Sequence, residues 1–368
     1  MVSLVMQWEQ RAEVFVQLGK VLGWVAEDAA WPGFESGLGE GEYTELKDAV
    51  LRAQQHNGWF TPTEVKRAFE AWAKQLTAEN LRSWLEPYSK DLNPDKSLNI
   101  GIVMAGNIPL VGMHDLLCVL MAGHHAIVKP ASDDHVLMPA VVRTMAHFSP
   151  DLANRVTFAS KLNDAGAFIA TGSNNTTRYF QQYFGHYPHI IRGTRNSAAV
   201  IDSSFTDEDL RALGEDVFSY FGLGCRNVSK LFLPEDFDID RFFKAIYHYH
   251  PIINHNKYAN NYDYYKALYL MNRESLLDNG FLLLRPDTML YSTLGTLHFE
   301  RYSNKEQVLQ NLQDRKEVLQ CVVGKAPWLK DCISPGTTQQ PGLADYADGI
   351  DTMAFLTGTE LRNKLKTA

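Results

Sequence analysis

Between residues 97 and 201 short apolar runs alternate with helical segments, and this alternation restricts the fold more than any other feature of the chain. Leu98-Asn99-Ile100-Gly101-Ile102-Val103-Met104 and His125-Ala126-Ile127-Val128-Lys129 read as strands, as do 155–159, 167–170, 189–191 and 198–201. Helices are expected over 111–121 and 136–148, and from a cap at Ser173 through Phe184. Strands separated by helices are expected to lie parallel, and a parallel sheet needs cover on both faces. The expected fold class is therefore α/β. Ligands of such sheets gather beyond the carboxyl ends of the strands, near the point where the strand order reverses. Asn107, Lys129 and Thr171-Gly172-Ser173 stand at those ends, and the amides opening the Ser173 helix suit a phosphate. No G-x-G-x-x-G follows any of these strands, so the usual dinucleotide fingerprint is missing.

The flanking regions differ in texture. Residues 1–95 read as helical, with a loop marked by Pro32, Gly33, Gly37, Gly39 and Gly41. Thr61-Pro62-Thr63-Glu64 combines a cap, a first-turn proline and a capping-box Glu, so a helix is expected from there towards Leu76. A second helix starts at Thr77 and stops near Pro87, with Phe69, Trp72 and Trp84 as the apolar face. Beyond the alternating region, Thr206 and Asp209 open a helix to Tyr220, and Val228 to Pro234 reads as a strand. Residues 281–284, 296–302 and 318–323 read as strands of a second sheet around a helix at 305–312. Asp348 to Leu356 reads as an edge strand for another domain or subunit.

Gly222-Leu223-Gly224-Cys225-Arg226-Asn227 joins that helix to the strand at Val228. Flanking glycines let the backbone approach another group and leave a sulfur uncrowded, as a nucleophile requires. The residues alone also fit a buried, inert cysteine. Cys118 lies in an apolar helix, Cys321 in a strand and Cys332 before a Pro-Gly turn. The four cysteines are far apart and lack metal-ligand spacing, so neither a disulfide framework nor a zinc site is expected. His248, His250 and His255 lack a fourth ligand at close spacing, and no metal is assigned to them.

A formal net charge of -8 argues against nucleic acid as the main partner, since phosphate backbones recruit concentrated Lys and Arg. Met1 to Trp8 lacks the basic flank and apolar run of a signal peptide, and no apolar stretch reaches membrane-spanning length. A cytoplasmic location is the default expectation.

Four segments occur in a telling order: Ala105-Gly106-Asn107-Ile108-Pro109, Val128-Lys129-Pro130-Ala131-Ser132, Ala170-Thr171-Gly172-Ser173 and Gly224-Cys225-Arg226-Asn227. With them the chain resembles the aldehyde dehydrogenase superfamily, and within it the acyl-CoA reductase branch that includes the fatty acyl reductases of bacterial luminescence. The likeness spans roughly residues 97–356. It implies a parallel-sheet cofactor domain (96–205), a second α/β catalytic domain (206–340) and a C-terminal segment (341–368) returning to the cofactor domain or to a partner subunit. The helical N-terminal region is 1–95. By the same resemblance Cys225 is the nucleophile, and the side chain of Asn107 joins the backbone N–H of Cys225 in holding the oxyanion. Lys129 meets the adenosine ribose or its 2′-phosphate, and Thr171-Gly172-Ser173 opens the helix beneath the pyrophosphate. Members commonly associate through a terminal strand, which implies a homodimer.

Departures from the family pattern refine the expectation. Aldehyde-oxidising members carry a Glu that activates water, whereas the matching stretch here, Ile191-Arg192-Gly193-Thr194-Arg195-Asn196-Ser197, has no carboxylate. An acyl-enzyme is then suited to exchange with a thiol rather than to hydrolysis. Ser132 replaces a cofactor-facing Glu, which favours NADPH, with NADH possible because Asp133 follows. The Glu that steadies the nicotinamide ribose is missing near Ser292. The implied activity is reduction of an acyl-CoA or another acyl thioester to a fatty aldehyde through acyl-Cys225, with Arg226 as a cation favouring the thiolate. The rivals are an acyltransferase using the same acyl-cysteine and a non-catalytic partner subunit.

Overall fold

The computed structural model describes residues 6–359 and 361. Residues 1–5, 360 and 362–368 lie outside it, and with them the start of the stretch read for a signal peptide and the extreme ends of the expected N- and C-terminal segments. The chain divides into two compact units, residues 1–193 with 342–368, and residues 194–341.

In the first unit, helices Trp8–Ala26, Glu40–His56, Pro62–Gln75 and Ala78–Leu85 precede the sheet. The third starts as its sequence requires: Thr61 accepts from the backbone N–H of Glu64, and Pro62 occupies the first turn. Val14, Phe15, Leu18, Val21, Leu22 and Val25 recur at helical spacing on Trp8–Ala26 and are buried. Close approach is possible because residue 19 is glycine; a Cβ there would lie 2.7 Å from the Cβ of Leu76. Arg11, fully buried in this layer, donates to the carbonyls of Met6, Leu92 and Met121, which compensates its lost hydration.

The alternating region forms the sheet β1 (Asn99–Val103), β2 (His125–Lys129), β3 (Val156–Phe158), β4 (Ala167–Thr171) and β5 (His189–Arg192). Its order is β3-β2-β1-β4-β5 and every pairing is parallel. Helix Met113–Met121, between β1 and β2, is buried at all but one of its positions, which explains the apolar run from Leu116 to Met121. Residues 342–359 return to this unit. There the expected edge strand is corrected: Ala347–Gly349 is one turn of 3-10 helix and Thr352–Thr357 is an α-helix. Asp351 decides the matter by accepting from the N–H of Ala354, and Thr352, Met353, Leu356 and Thr357 then share a buried face.

The second unit holds β6 (Asn196–Val200), β7 (Val228–Pro234), β8 (Leu277–Asp278), β9 (Leu283–Pro286), β10 (Thr296–Tyr302) and β11 (Leu319–Val323). The order is β11-β6-β7-β10-β9-β8, parallel throughout except for β8 against β9. β6, the last strand of the alternating run, therefore pairs here and not beside β5. Helices Asp207–Phe218, Ile239–Ala245, Asn256–Met271 and Lys305–Asp314 complete the unit. Among the described residues no helix is long and apolar enough to cross a membrane.

Candidate active site

The register of the first sheet brings three of the four expected segments to one end of the sheet. Val103 stands level with both Lys129 and Ala170, and Thr171 stands level with Arg192. The segments after β1, β2 and β4 thus leave the sheet together, where the order reverses between β1 and β4. Gly106 packs on the segment after β2 so tightly that a Cβ would lie 2.6 Å from the Cβ of Ala131. Its carbonyl accepts from Asn57 Nδ2 at 3.2 Å, so the loop carrying half-buried Asn107 is tied to the N-terminal helices. Lys129 and Ser132 are exposed, and Ser132 Oγ donates to Asp133 Oδ1 at 3.1 Å, which sets a carboxylate on the Ser132 hydroxyl.

Ser173 caps helix Asn174–Phe184 by accepting from the N–H of Thr176 at 3.3 Å. First-turn amides of such a helix point along its axis and favour an anion. Gly172 has a packing reason of its own, since a Cβ would sit 2.9 Å from the ring of Phe180. Asp134, on the segment after β2, is only 7% exposed. The backbone N–H of Leu137 bonds its carboxyl, while its Oδ1 has no hydrogen-bond partner among the described residues. Burial raises its pKa to about 6, against the opposing pull of the Leu137 N–H and of His135.

Within the stretch that has no carboxylate, Arg192 is 3% exposed and donates through Nη1 to both oxygens of Asp115 at 2.8 and 2.9 Å. Its Nη2 donates to Thr352 Oγ1 at 2.7 Å. These bonds make Arg192 an anchor for the returning chain.

Cys225 belongs to the second unit, whereas Asn107, Lys129, Ser132 and Thr171-Gly172-Ser173 belong to the first. The helix leading to it runs Asp207–Phe218 with the expected capping box between Thr206 and Asp209. It ends in three residues of positive φ, Tyr220 (52°), Phe221 (57°) and Gly222 (78°). Two non-glycine residues there cost about 1–2 kcal/mol each, a strain that the surrounding packing sustains. Asn227, 4% exposed, absorbs the helix end: its Nδ2 donates to the carbonyls of Asp216 and Ser219 at 3.0 and 2.9 Å. Its Oδ1 accepts from the N–H of Gly224 at 2.8 Å, and its own N–H donates to Gly224 O at 3.0 Å. Cys225 is half-buried within the closed turn. Its carbonyl accepts from Oγ of fully buried Ser197 at 3.0 Å, and Ser197 Oγ also lies 3.1 Å from Cys321 Sγ. Burial pushes the Cys321 thiol up, against the charge of Arg226, which pulls it down.

All four cysteines are reduced thiols. Among the described residues no group of His, Cys, Asp and Glu is arranged to hold a metal ion. The histidines near residue 250 have local duties: His255 Nδ1 accepts from the N–H of Tyr258, capping helix Asn256–Met271, and His248 Nδ1 bonds the carbonyl of Ala245. Sequence reasoning missed the parts played by Ser197 and Asn227. A polar Asn directly before an apolar strand signals a buried amide in need of partners. Nothing in the spacing links Ser197 to residue 225, because they meet only through neighbouring strands.

The family model for acyl-CoA reductase (LuxC) matches residues 43–246, a span that contains Asn107, Lys129, Ser132, Thr171-Gly172-Ser173 and Cys225. No curated protein sequence matches the chain. Solved structures give the same fold at low identity. HpcC from Thermus thermophilus is 12% identical with a TM-score of 0.61, over 88% of this chain and 71% of that one. An aldehyde dehydrogenase from Bacillus cereus, solved as an NAD+ complex, is 13% identical with a TM-score of 0.55, over 88% and 73%. Proline utilization A is 14% identical with a TM-score of 0.61 over 86% of this chain, which spans only 36% of that protein's length. The fold is thus that of the aldehyde dehydrogenase superfamily, and the chain belongs to the acyl-CoA reductase (LuxC) family.

Proposed function

We propose that the protein is an acyl thioester reductase that forms an aldehyde through an acyl group carried on Cys225. The observation that supports it most is the Gly224–Asn227 turn, which holds a half-buried thiol at its apex in a chain of the acyl-CoA reductase family. In the first step the Cys225 thiolate bonds to the acyl carbon, the C–S bond of the thioester breaks, and coenzyme A leaves as its thiolate. The Cys225 N–H and the Asn107 side chain are the proposed oxyanion donors. A bound nicotinamide cofactor supplies the hydride that reduces the acyl group. Cys225 then leaves as thiolate when the thiohemiacetal collapses to aldehyde. The stretch from Ile191 to Ser197 offers no carboxylate to activate water, so the acyl-enzyme persists for reduction instead of being hydrolysed.

The first unit suits such a cofactor. Exposed Lys129 and the start of helix Asn174–Phe184 emerge at the same end of the sheet and together offer a cation and backbone amides to phosphates. Ser132 in place of a Glu favours NADPH, and the Asp133 carboxylate on Ser132 Oγ keeps NADH in contention.

Intact-mass spectrometry after mixing with a long-chain acyl-CoA tests the proposal. The parent protein gains one acyl group, loses it when NADPH is added, and releases free thiol as NADPH is consumed. NADH in a parallel arm decides between the cofactors. Cys225→Ala forms no adduct; full activity in that variant sinks the assignment. An adduct that neither cofactor discharges points to the acyltransferase.

A further inference from the structure

The peptide planes flanking the Cα of Cys225 are held by groups outside the reacting ones, the first by the backbone N–H of Asn227 and the second by the Ser197 side chain. The N–H of Asn227 donates to Gly224 O at 3.0 Å and closes a four-residue turn with Cys225 at its first central position. Asn227 Oδ1 holds the N–H of Gly224 at 2.8 Å, so one residue fixes Gly224 on both sides. The described chain has no cis peptide bond, and in a trans peptide the C=O and N–H point oppositely. With Gly224 O turned into the turn, the N–H of Cys225 is directed to the other side.

The next plane is fixed by Ser197, whose hydroxyl donates to Cys225 O at 3.0 Å. A serine has one hydroxyl proton, and a carbonyl can only accept. The 3.1 Å contact between Ser197 Oγ and Cys321 Sγ therefore requires the thiol to donate. The order is Cys321 S–H to Ser197 O–H to Cys225 C=O, and burial keeps Cys321 in the protonated form that this order needs. Register shifts fall on both sides of Ser197, between Ser197 and Ala198 against β7 and between Leu319 and Cys321 on β11. Such bulges re-aim side chains beside active sites.

We infer that Asn227 and Ser197, the latter oriented by Cys321, are positioning residues that aim Cys225 Sγ and the Cys225 N–H at a thioester carbonyl. The inference rests on the acyl-cysteine reading above. With both planes pinned, only the χ1 torsion of Cys225 is left to choose, and the nucleophile and its neighbouring donor keep a fixed relation. A misplacement of about 1 Å in such a pair costs about 100-fold in rate. A small alkylating reagent needs no oxyanion donor and tolerates many approach angles, so it reports the thiol without reporting its aim.

The test compares single-turnover acylation of the full chain by a long-chain acyl-CoA, followed by intact mass, with iodoacetamide alkylation of Cys225 followed across pH by peptide mapping. Ser197→Ala and Asn227→Ala are expected to lower the saturating acylation rate about 10- to 100-fold. The half-saturating thioester concentration stays within about twofold, and the alkylation rate and its pH midpoint match the parent. Ser197→Thr keeps the hydroxyl and restores acylation, and Cys332→Ser serves as the unaffected control. If Asn227→Ala fails to fold, because the helix end loses its amide, the Ser197 variants decide alone. A parent protein that never acylates Cys225 overturns the acyl-cysteine reading and this inference with it. A parent that acylates while Ser197→Ala matches its rate overturns the inference alone. Equal loss of acylation and alkylation in Ser197→Ala, unrescued by Thr, also overturns it and leaves a role in folding.

Discussion

Asp133 and Asp134 are neighbours that the sequence cannot tell apart, and the fold gives them opposite environments. Asp133 is exposed and takes a hydrogen bond from Ser132, whereas Asp134 is buried with one oxygen lacking a partner among the described residues. Burial disfavours the charged form of Asp134 and raises its pKa from 3.8 to about 6. In that window the folded state binds the proton that the unfolded state has released, so stability falls as pH rises from about 4 to about 6. The stabilising effect of the proton is complete below the unfolded pKa and is lost above the folded one. A shift of this size corresponds to about 3 kcal/mol. Asp134→Asn keeps an oxygen for the Leu137 N–H and never ionises. Urea titrations of parent and variant are expected to show the variant more stable at pH 8, with the fall between pH 4 and 6 largely gone. A variant that follows the parent's pH profile would assign the titration to another group. Burial of this kind was not legible at residue 134, because a run of Pro, Ala, Ser and Asp reads only as a turn.

At the scale of elements the sequence was most legible where a cap and an apolar period agree. β2, β7 and β10 run over the residues expected of them, and helix Asn174–Phe184 starts at its expected cap. The misread element, Thr352–Thr357, has only six residues, too few to display a period, and its helical state depends on the Asp351 cap. Helix Asn174–Phe184 shows what a cap does where packing gives little help, since none of its residues is fully buried. Ser173→Ala removes the acceptor for the Thr176 N–H and is expected to cost about 1 kcal/mol, seen as faster amide exchange over residues 174–184. Ser173→Asp caps equally well but places a carboxylate where the pyrophosphate is proposed to rest. It should preserve exchange protection and weaken NADPH binding in a fluorescence titration, whereas Ser173→Ala weakens binding less. Unchanged affinity in Ser173→Asp would remove this helix from the proposed cofactor site.

At the scale of the whole molecule, the α/β class was legible in the alternation of strands and helices, but the partners of each strand were not. β6 follows β5 by four residues and still pairs with β7 and β11, because pairing depends on contacts far along the chain. The return of residues 342–359 to the first unit is equally non-local. It is secured by His114 Nε2 against Leu343 O, Trp84 Nε1 to Tyr346, Tyr88 to Asp351, and Arg192 to Thr352. Arg192 is the most costly link to disturb, because it and Asp115 are both buried and each compensates the other. Removing one partner of a buried pair leaves an unpaired charge and costs about 3–5 kcal/mol, while replacing both with apolar residues is often neutral. Asp115→Ala is therefore expected to lower thermal stability sharply and to expose residues 342–359 to limited proteolysis. The double variant Asp115→Leu with Arg192→Met should recover most of the stability but lose the bond to Thr352, so its returning segment remains the first site of cleavage. If Asp115→Ala alone costs less than about 1 kcal/mol, the ion pair behaves as a solvent-screened pair and the anchoring falls to the aromatic cluster of Trp84, Tyr88 and Tyr346.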